Sequence, residues 1–288
     1  MIITVTGATG NIGRPLVAEL AAAGAHVRAI TRTPSTGQFP DGVEQVSSLA
    51  DALPGTSAVF LNSRALPQRT PAGLADVAAQ CAAAGVTKLV ALSAINADDD
   101  FARQPSRFRG DRNWEVEQAA VDSGLQWVSL RPSVFASNFT GMWGGQLRLG
   151  DVVAGPYATA SMAPIVDGDV SAVAARALLT DELVGRKIAM TGPHALTNRE
   201  LVDVIGTVLQ RPLRYHELPP EVVRQRFRGL RFSSEFADAY VAMLAASLDG
   251  PALVTHEVEK VLGRPPLEFA EWVARHRDDF TRQAVRDA

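Results

Sequence analysis

The sequence predicts an α/β fold: a Rossmann-type doubly wound parallel sheet followed by a smaller C-terminal lobe of mixed α/β structure. Apolar runs of strand length alternate with stretches of helical spacing through the first half of the chain. The first strand, at residues 2–6, also leads through three glycines directly into a helix. Repeated units of this kind place helices on both faces of a parallel sheet and bury its strands.

The glycines after the first strand are Gly7, Gly10 and Gly13, in the spacing G-x-x-G-x-x-G. This pattern brings backbone N–H groups and a helix N-terminus against the pyrophosphate of a dinucleotide. Gly7 permits the tight turn, Gly10 the approach of the phosphates, and Gly13 the packing of helix on strand. The alternative is an ordinary turn between a strand and a helix. The cofactor-binding residues predicted in this segment are Gly7, Thr9, Gly10, Asn11, Ile12 and Gly13.

The second strand, at residues 25–30, ends where a dinucleotide fold meets the adenosine ribose. An acidic residue there hydrogen-bonds the ribose of NAD, whereas an arginine pairs with the 2′-phosphate of NADP. This chain has Arg32 and no acid, with hydroxyl groups on Thr31, Thr33 and Ser35. The sequence therefore favours NADP(H) over NAD(H). The alternative is an arginine that is only solvated.

The remaining elements follow in order along the chain. Strands are predicted at residues 43–46, 58–62, 88–93 and 127–130, and helices at 49–53, 72–84, 114–123, 167–179, 198–209, 220–227, 233–248 and 266–276. The pattern loosens after residue 132, which indicates a dinucleotide-binding domain at residues 1–150 and a smaller substrate-binding lobe at 151–288. No linker rich in Gly, Pro or Ser separates the two, so the lobe is expected to interleave with the domain.

Composition excludes several classes of protein. A net charge of −3 with interspersed signs gives no basic field for nucleic acid. Cys81 is the single cysteine, which excludes a disulfide framework and fits a reducing compartment. No apolar run reaches about 18 residues, so we expect a soluble, cytoplasmic protein without a membrane segment. Both a monomer and a homodimer remain open.

Acidic residues that suggest a metal or a base have simpler interpretations. Asp98, Asp99 and Asp100 are consecutive and lack the alternate spacing of a calcium loop, so we expect a solvated loop and no metal. Asp167 and Asp169 precede a helical run and are predicted to cap it. Glu117, on a helix facing the cofactor, fits a structural ion pair better than a base.

Four segments carry a resemblance to a known family. They are T-G-A-T-G-N-I-G at residues 6–13, D-S-G-L-Q-W-V-S-L-R-P at 122–132 with Phe135 and Asn138, T-G-P-H-A-L-T at 191–197, and residues 254–272. Together they resemble the atypical short-chain dehydrogenase/reductases, and within them the NmrA-like group, which includes NADPH quinone reductases and redox-sensing regulators. The resemblance spans nearly the whole chain and is more specific for family than for reaction.

The chain departs from the wider superfamily at the expected catalytic positions. Its members use a Ser at the end of the fifth strand, and a Tyr with a Lys four residues later on the next helix. The resemblance places Ser93, Arg109 and Asn113 at these positions, and these are the candidate catalytic residues. Arginine stays protonated and is a poor general acid, and a neutral asparagine cannot lower a neighbour's pKa through charge. Asn113 can still hydrogen-bond a ribose hydroxyl, so hydride transfer without protonation by tyrosine is implied.

Ligands of parallel sheets bind outside the carboxyl ends of the strands. Asn62 and Ser63 follow the fourth strand, and Ser133, Val134 and Phe135 follow the sixth, so all five are predicted to contact the cofactor together with Ser93 and Asn113. An apolar pocket for a flat quinone or aromatic ketone is predicted from Phe108, Trp114, Asn138, Phe139, Met142, Trp143 and Tyr157. For each aromatic residue the alternative is core packing.

The sequence therefore predicts an NADPH-dependent oxidoreductase that transfers hydride to a small quinone, enone or aromatic ketone. Two alternatives remain: a non-catalytic NAD(P)-binding redox sensor of the NmrA-like type, and a redox-neutral cyclase or isomerase. The fold supports all three, so only the site can distinguish them.

Overall fold

The computed structural model describes residues 1–33, 37–67 and 70–281. Its strands are β1 (Ile2–Val5), β2 (His26–Ile30), β3 (Glu44–Val46), β4 (Ala58–Asn62), β5 (Lys88–Leu92), β6 (Gln126–Pro132), β7 (Val152–Gly155), β8 (Ser161–Met162), β9 (Arg186–Met190), β10 (Leu196–Thr197) and β11 (Arg214–Glu217). Its helices are α1 (Gly13–Ala22), α2 (Leu49–Ala52), α3 (Pro71–Ala83), α4 (Asn113–Val121), α5 (Gly145–Leu149), α6 (Asp167–Leu179), α7 (Asn198–Leu209), α8 (Pro220–Gly229), α9 (Ser234–Ala246), α10 (Glu257–Leu262) and α11 (Phe269–Arg275).

A seven-stranded parallel sheet forms the centre of the molecule, in the order β3-β2-β1-β4-β5-β6-β9. The predicted Rossmann-type fold is confirmed. Helices α1 and α6 pack on one face through residues such as Leu16 and Val173, and α3 and α4 pack on the other through Leu74 and Val116. The strand order reverses between β1 and β4, which opens a crevice at the carboxyl ends of the strands.

The chain after residue 150 contributes both to the sheet and to a separate lobe. Strand β9 pairs with β6, and α6 packs against α1. The lobe has its own core, in which Phe139 and Trp143 meet α7 and α11. The sequence pattern missed β9 because Arg186 and Lys187 occupy its solvent-facing start, as charged residues often do on an edge strand.

Helix boundaries follow local capping. Helices α6 and α7 begin and end at the predicted residues, whereas α11 begins later than predicted, at Phe269. The cause is a capping box between Glu268 and Glu271, which fixes the helix start. Within the described ranges, no helix is long and apolar enough to cross a membrane.

The predicted cap roles of Asp167 and Asp169 are wrong. No side chain caps α6 at its N-terminus. Asp167 instead accepts hydrogen bonds from the backbone N–H and Oγ of Ser137, at 3.2 and 2.6 Å. Asp169 accepts the N–H of Leu267 at 2.7 Å and pairs with Arg264. Both carboxylates therefore bind other segments of the chain to α6 and do not cap its N-terminus.

Glu117 is the centre of a buried ionic cluster beneath the end of β6. Its carboxylate, with no solvent exposure, accepts from Arg131 at 2.6 and 2.8 Å and from Lys187 at 2.7 Å, and Ser129 donates a further bond. Arg131 also binds Asp98 at 2.9 Å. Burial alone would raise the pKa of Glu117, but the hydrogen bonds from Arg131, Lys187 and Ser129 outweigh it and lower the pKa to about 2. The predicted structural ion pair is confirmed.

The acidic loop has structural partners as well. Asp98 binds Arg131, and Asp100 accepts the N–H of Ala102 at 2.9 Å and so caps the turn Phe101–Arg103. In the part of the chain that the structure describes, no three His, Cys, Asp or Glu side chains are grouped as metal ligands.

Replacing Glu117 with Gln should destabilise the fold by about 3–5 kcal/mol at pH 7, because Arg131 and Lys187 would lose their buried counter-charge. The folded pKa of Glu117 lies below its usual value of 4.5, so its contribution is present above about pH 4.5 and is lost as the pH falls toward 2. Urea unfolding at a series of pH values measures this effect. Below about pH 4.5, the free energy of unfolding should depend less on pH in Glu117→Gln than in the wild-type protein. The control is Glu182→Gln, which removes an exposed pair with Arg176 and should cost about 0–1 kcal/mol. Equal stability losses in the two variants would contradict the assignment.

Candidate active site

A large cleft lies at the carboxyl ends of β1, β4, β5 and β6, with the glycine loop at one end and helices α8 and α9 at the other. Its volume is about 2110 Å³, well above the ~300–1,000 Å³ that is usual for one drug-sized ligand. The cleft therefore has room for a dinucleotide and a second small molecule.

The glycine loop is held by contacts within its own backbone. Gly7 has φ +66°, a left-handed conformation that favours glycine, and its carbonyl accepts the N–H of Gly10 at 3.0 Å. A Cβ on Gly13 would lie 2.1 Å from the Gly7 oxygen and 2.7 Å from the Ala8 Cα. Gly13 is therefore required by the loop itself, rather than by packing of the helix on the strand. A Cβ on Gly10 would meet only the Gly7 oxygen, at 3.3 Å.

The N-terminus of α1 suits an anion. Ile12 occupies the cap position, and no side chain caps the first turn. Asn11, Ile12 and Gly13 line the cleft, so the uncapped amides and the positive end of the helix dipole are next to it. Ser171 of α6 donates to the Ile12 carbonyl at 2.9 Å and fixes the loop from behind. These features fit a pyrophosphate.

Arg32 lines the same end of the cleft with its side chain exposed. Thr31 is buried, and its Oγ1 accepts the N–H of Thr33 at 3.4 Å, which shapes the turn after β2. Ser47 and Ser48 also line this end and were missed by the sequence argument, because they follow the short strand β3. Ser35, predicted as a further hydroxyl donor, lies outside the described residues.

The three candidate catalytic residues line one section of the cleft. Ser93 is buried, and its hydroxyl donates to the Asn113 carbonyl at 3.0 Å, so it positions the start of α4. Asn113 lies within 3.5 Å of the Ser106 hydroxyl through its Nδ2. Arg109 is exposed to the cleft, and its guanidinium carbon lies 5.3 Å from the centre of the Phe232 ring.

The loops after β4 and β6 differ from the prediction at one residue. Asn62, Ser133, Val134 and Phe135 line the cleft, as does Thr9 of the glycine loop. Ser63 does not line it: the side chain is buried, and its hydroxyl accepts the N–H of Arg112 at 3.1 Å. The side chain of Ser63 therefore has a structural partner instead of facing the cleft, while the neighbouring Asn62 and Arg64 line it.

Only some of the residues predicted for the substrate pocket line the cleft. Asn138, Met142 and Trp143 line the cleft. Phe139 is fully buried, with its ring centre 4.7 Å from that of Trp143 and 5.0 Å from that of Phe269, and belongs to the lobe core. Tyr157, at φ +49°, also packs on that core and is not in the cleft. Phe139 and Tyr157 therefore pack in the core of the lobe, which was the alternative to a place in the substrate pocket.

Phe108 and Trp114 also lie away from the cleft. Their side chains are 40% and 38% exposed, and Trp114 lies in a shallow depression beside Pro71 and Ala75 of α3. Adjacent residues of a helix point about 100° apart. Because Asn113 faces the cleft, Trp114 faces away from it.

Helices α8 and α9 supply a wall that sequence reasoning missed. The lining residues from this region include Arg226, Phe227, Phe232, Phe236, Tyr240 and Met243. The rings of Phe227 and Phe236 lie 5.2 Å apart. Burial raises the pKa of the Tyr240 hydroxyl, so the phenol keeps its proton at neutral pH. The aromatic residues between 227 and 240 could have indicated an apolar wall of a binding site. Nothing in the sequence, however, placed them opposite the sheet.

Comparison with known proteins agrees with this geometry. Residues 7–180 match the family model described as NAD(P)H-binding. The chain is 36% identical to a (4-alkanoyl-5-oxo-2,5-dihydrofuran-3-yl)methyl phosphate reductase from Streptomyces griseus, over 97% of this chain and 99% of the relative. It is 28% identical to an NAD(P)H azoreductase from Xenophilus azovorans, over 97% and 99%. An NADPH-dependent quinone oxidoreductase from Escherichia coli, solved with NADPH, shares the fold with a TM-score of 0.81, at 22% identity over 96% of this chain and 100% of that one.

The chain therefore belongs to the NAD(P)H-binding family. The fold expected from the resemblance to the NmrA-like group is confirmed, since a crystal structure of an NmrA mutant shares it with a TM-score of 0.72 at 17% identity over 95% of this chain and 94% of that one. The protein is accordingly an NAD(P)H-dependent oxidoreductase.

Replacing Gly13 with Ala should disrupt cofactor binding more than the same change elsewhere. The new Cβ would lie 2.1 Å from the Gly7 oxygen, so the loop must shift, and we expect about 1–3 kcal/mol of lost stability from overpacking. We also expect the binding free energy of NADPH to fall by at least about 1.4 kcal/mol, which corresponds to a tenfold lower affinity. Fluorescence titration and thermal unfolding measure the two effects.

The matched control is Gly168→Ala in the first turn of α6, where no atom lies within 4 Å of the new Cβ. Alanine there should stabilise the helix by up to about 1 kcal/mol and leave NADPH affinity unchanged. Normal NADPH affinity in Gly13→Ala would show that the loop is not the phosphate site.

Proposed function

We propose that this oxidoreductase transfers hydride from NADPH to a small conjugated carbonyl compound, such as a quinone, an enone or an aromatic ketone. The observation that carries the proposal is the continuity of the cleft. It runs from the glycine loop and Arg32, past Ser93 and Asn113, to the apolar wall that includes Met142 and Phe236. A cofactor and a flat apolar substrate can therefore occupy adjoining parts of one space.

The proposed cofactor contacts follow the cleft from one end to the other. The amides at the start of α1 would hold the pyrophosphate, and Arg32 the 2′-phosphate. Asn62, Ser93 and Asn113 line the central section, and Ser133, Val134 and Phe135 line the section after β6. A bound NADPH supplies hydride from C4 of its nicotinamide. The protein supplies position, because alignment of the two reactants can itself account for much of a rate enhancement.

The wall of the cleft supports a conjugated substrate. Met142, Met243, Phe227 and Phe236 offer polarizable and aromatic surfaces that suit a flat ring. The relatives point the same way, since one is named for a dihydrofuran with oxo and alkanoyl groups and another as an azoreductase. Both names describe conjugated or aromatic acceptors.

Proton delivery is proposed to come from water rather than from a side chain. Arg109 and Asn113 replace the Tyr and Lys of the wider superfamily, and neither is an acid at neutral pH. The Ser93 hydroxyl donates to the Asn113 carbonyl, and burial raises the pKa of Tyr240, which makes its phenol a weaker acid. Quinones suit such a site, because their reduced form is a stable oxyanion at the hydride step.

Replacing Arg32 with Ala should remove most of the preference for NADPH over NADH. A charge-assisted contact with the 2′-phosphate is expected to provide about 1–3 kcal/mol, toward the lower value here because Arg32 is exposed. Calorimetric titration of both cofactors measures it. Arg14→Ala, in the first turn of α1, is the control for general loss of positive charge and should change both affinities alike. Equal affinity of the wild-type protein for NADPH and NADH would contradict the assignment.

The protein should reduce menadione much faster than cyclohexanone. An unactivated ketone needs a proton donor at its oxygen, a contribution commonly of about 10² to 10⁴ in rate. Arg109→Gln should lower kcat with menadione by less than that range, and Asn113→Ala should modestly raise the dissociation constant of NADPH. NADPH oxidation followed by absorbance measures these rates. Efficient cyclohexanone reduction that collapses in Arg109→Gln would refute the mechanism, and tight NADPH binding without turnover of any acceptor would favour a redox sensor.

A further inference from the structure

Positive side chains line the cleft at two separate places. Arg32 lies at the end proposed for the 2′-phosphate. Arg109 and Arg226 line the part of the cleft beside helices α8 and α9: Arg109 ends the turn Pro105–Arg109, which packs against α9, and Arg226 lies on α8, which also packs against α9. Neither arginine is among the proposed cofactor contacts, although Arg109 lines the same section of the cleft as Ser93 and Asn113. The charge of this second group therefore needs a separate explanation.

Neither arginine of the second group has an ionic partner. Within residues 1–33, 37–67 and 70–281, no carboxylate lies within 4 Å of the guanidinium of Arg109 or Arg226. By contrast, Arg224 on the same helix binds Asp238 at 2.8 Å, and Arg64 in the cleft lies 3.4 Å from Asp111. Arg228 and Arg231 of the same region also lack a carboxylate within 4 Å among the described residues, but unlike Arg109 and Arg226 they do not line the cleft.

The acidic residues of the cleft do not balance this charge. Asp111 is beside Arg64, and Asp167 accepts two hydrogen bonds from Ser137 at the far side. Asp99 is the remaining acid that lines the cleft in the described residues, and it lies on the exposed loop after β5. The substrate end thus carries two unpaired guanidinium groups.

Aromatic rings lie beside Arg109. The Arg109 guanidinium carbon is 5.3 Å from the ring centre of Phe232, and that ring stacks on Phe236 at 4.6 Å. Phe227, next to Arg226 in the chain, lies 5.3 Å from Phe232. An aromatic floor lowers the local dielectric and so strengthens attraction for an anion. It also orients the Arg109 guanidinium, whose planar fork can bind two oxygens of one anionic group.

We propose that Arg109 and Arg226 form a subsite for an anionic group, a phosphate, sulfonate or carboxylate, carried by the conjugated substrate. This inference rests on the proposed function and narrows its substrate class. The aromatic floor receives the apolar part of the molecule, and the guanidinium groups receive its charge. Arg109 is then a substrate-binding residue at the position where the wider superfamily has its tyrosine.

Binding of naphthalene-2-sulfonate and of neutral 2-methylnaphthalene to the NADPH-loaded protein tests the subsite without any hydride chemistry. The sulfonate should bind about tenfold more tightly, as expected for one charge-assisted contact at a partly exposed site. Its affinity should fall with rising salt, whereas that of the neutral compound should not. Because NADPH occupies the phosphate-binding end, the sulfonate cannot report on Arg32.

Arg109→Gln and Arg226→Gln should each lower the ratio of sulfonate to neutral affinity about 3- to 10-fold. Arg228→Gln is the matched control: it removes an exposed arginine of α8 that does not line the cleft, and the ratio should stay unchanged. In turnover, the same two variants should lower kcat/KM for 1,4-naphthoquinone-2-sulfonate more than for 1,4-naphthoquinone.

The two proposals fail in different ways. Equal affinity for the sulfonate and the neutral compound, or an unchanged ratio in both cleft variants, would overturn the anionic subsite even if 1,4-naphthoquinone is reduced well. Absence of quinone reduction, with the sulfonate preference and its loss in the variants intact, would overturn the reductase proposal and leave an anion-binding site.

Discussion

The glycine loop depends on one backbone contact that leaves no room for a side chain. Gly13 opens α1 directly against the Gly7 carbonyl, where a Cβ would lie 2.1 Å from the oxygen. This contact sets the direction of α1 relative to β1, and Ser171 then ties α6 to the carbonyl of Ile12. The amides that suit a pyrophosphate face the cleft because these contacts hold the helix start in place. Every other part of the cleft is arranged around this fixed end.

A second constraint holds the far side of the sheet. Glu117 on α4 joins Arg131 of β6 and Lys187 of β9 through a carboxylate that solvent does not reach. Arg131 is followed at once by Pro132 and the loop that lines the cleft, so the cluster fixes the point at which that loop leaves the sheet. Such a cluster is costly to break because any unpaired charge would stay buried. Its residues are structural, although they lie close to the site.

The proposed chemistry of the cleft depends on Arg109 and Asn113, which the family resemblance places at the positions of the superfamily's Tyr and Lys. Arg109 and Asn113 provide hydrogen bonds and charge but no proton at neutral pH. Tyr240 contributes a phenol whose pKa is raised by burial. We expect the proposed site to favour acceptors that tolerate a developing negative charge, and the proposed arginine subsite extends the same electrostatic character to the rest of the substrate.

The sequence by itself determined the Rossmann-type sheet, the spacing of the glycine loop and the absence of an acid beside Arg32, because all of these are local patterns of spacing and residue type. The departure from the Tyr and Lys pattern rests on the family resemblance and stays a prediction. Only the tertiary structure decided which side chains face the cleft. It turned Ser63 and Phe139 inward, left Trp114 on the outer face of α4, and brought Arg226 of α8 to the same end as Arg109. The reason is physical: periodicity shows that a residue is apolar and helical, but the direction in which its side chain points depends on contacts between segments far apart in the chain. Ser63 is held by Arg112, 49 residues away, and Phe139 packs on Phe269.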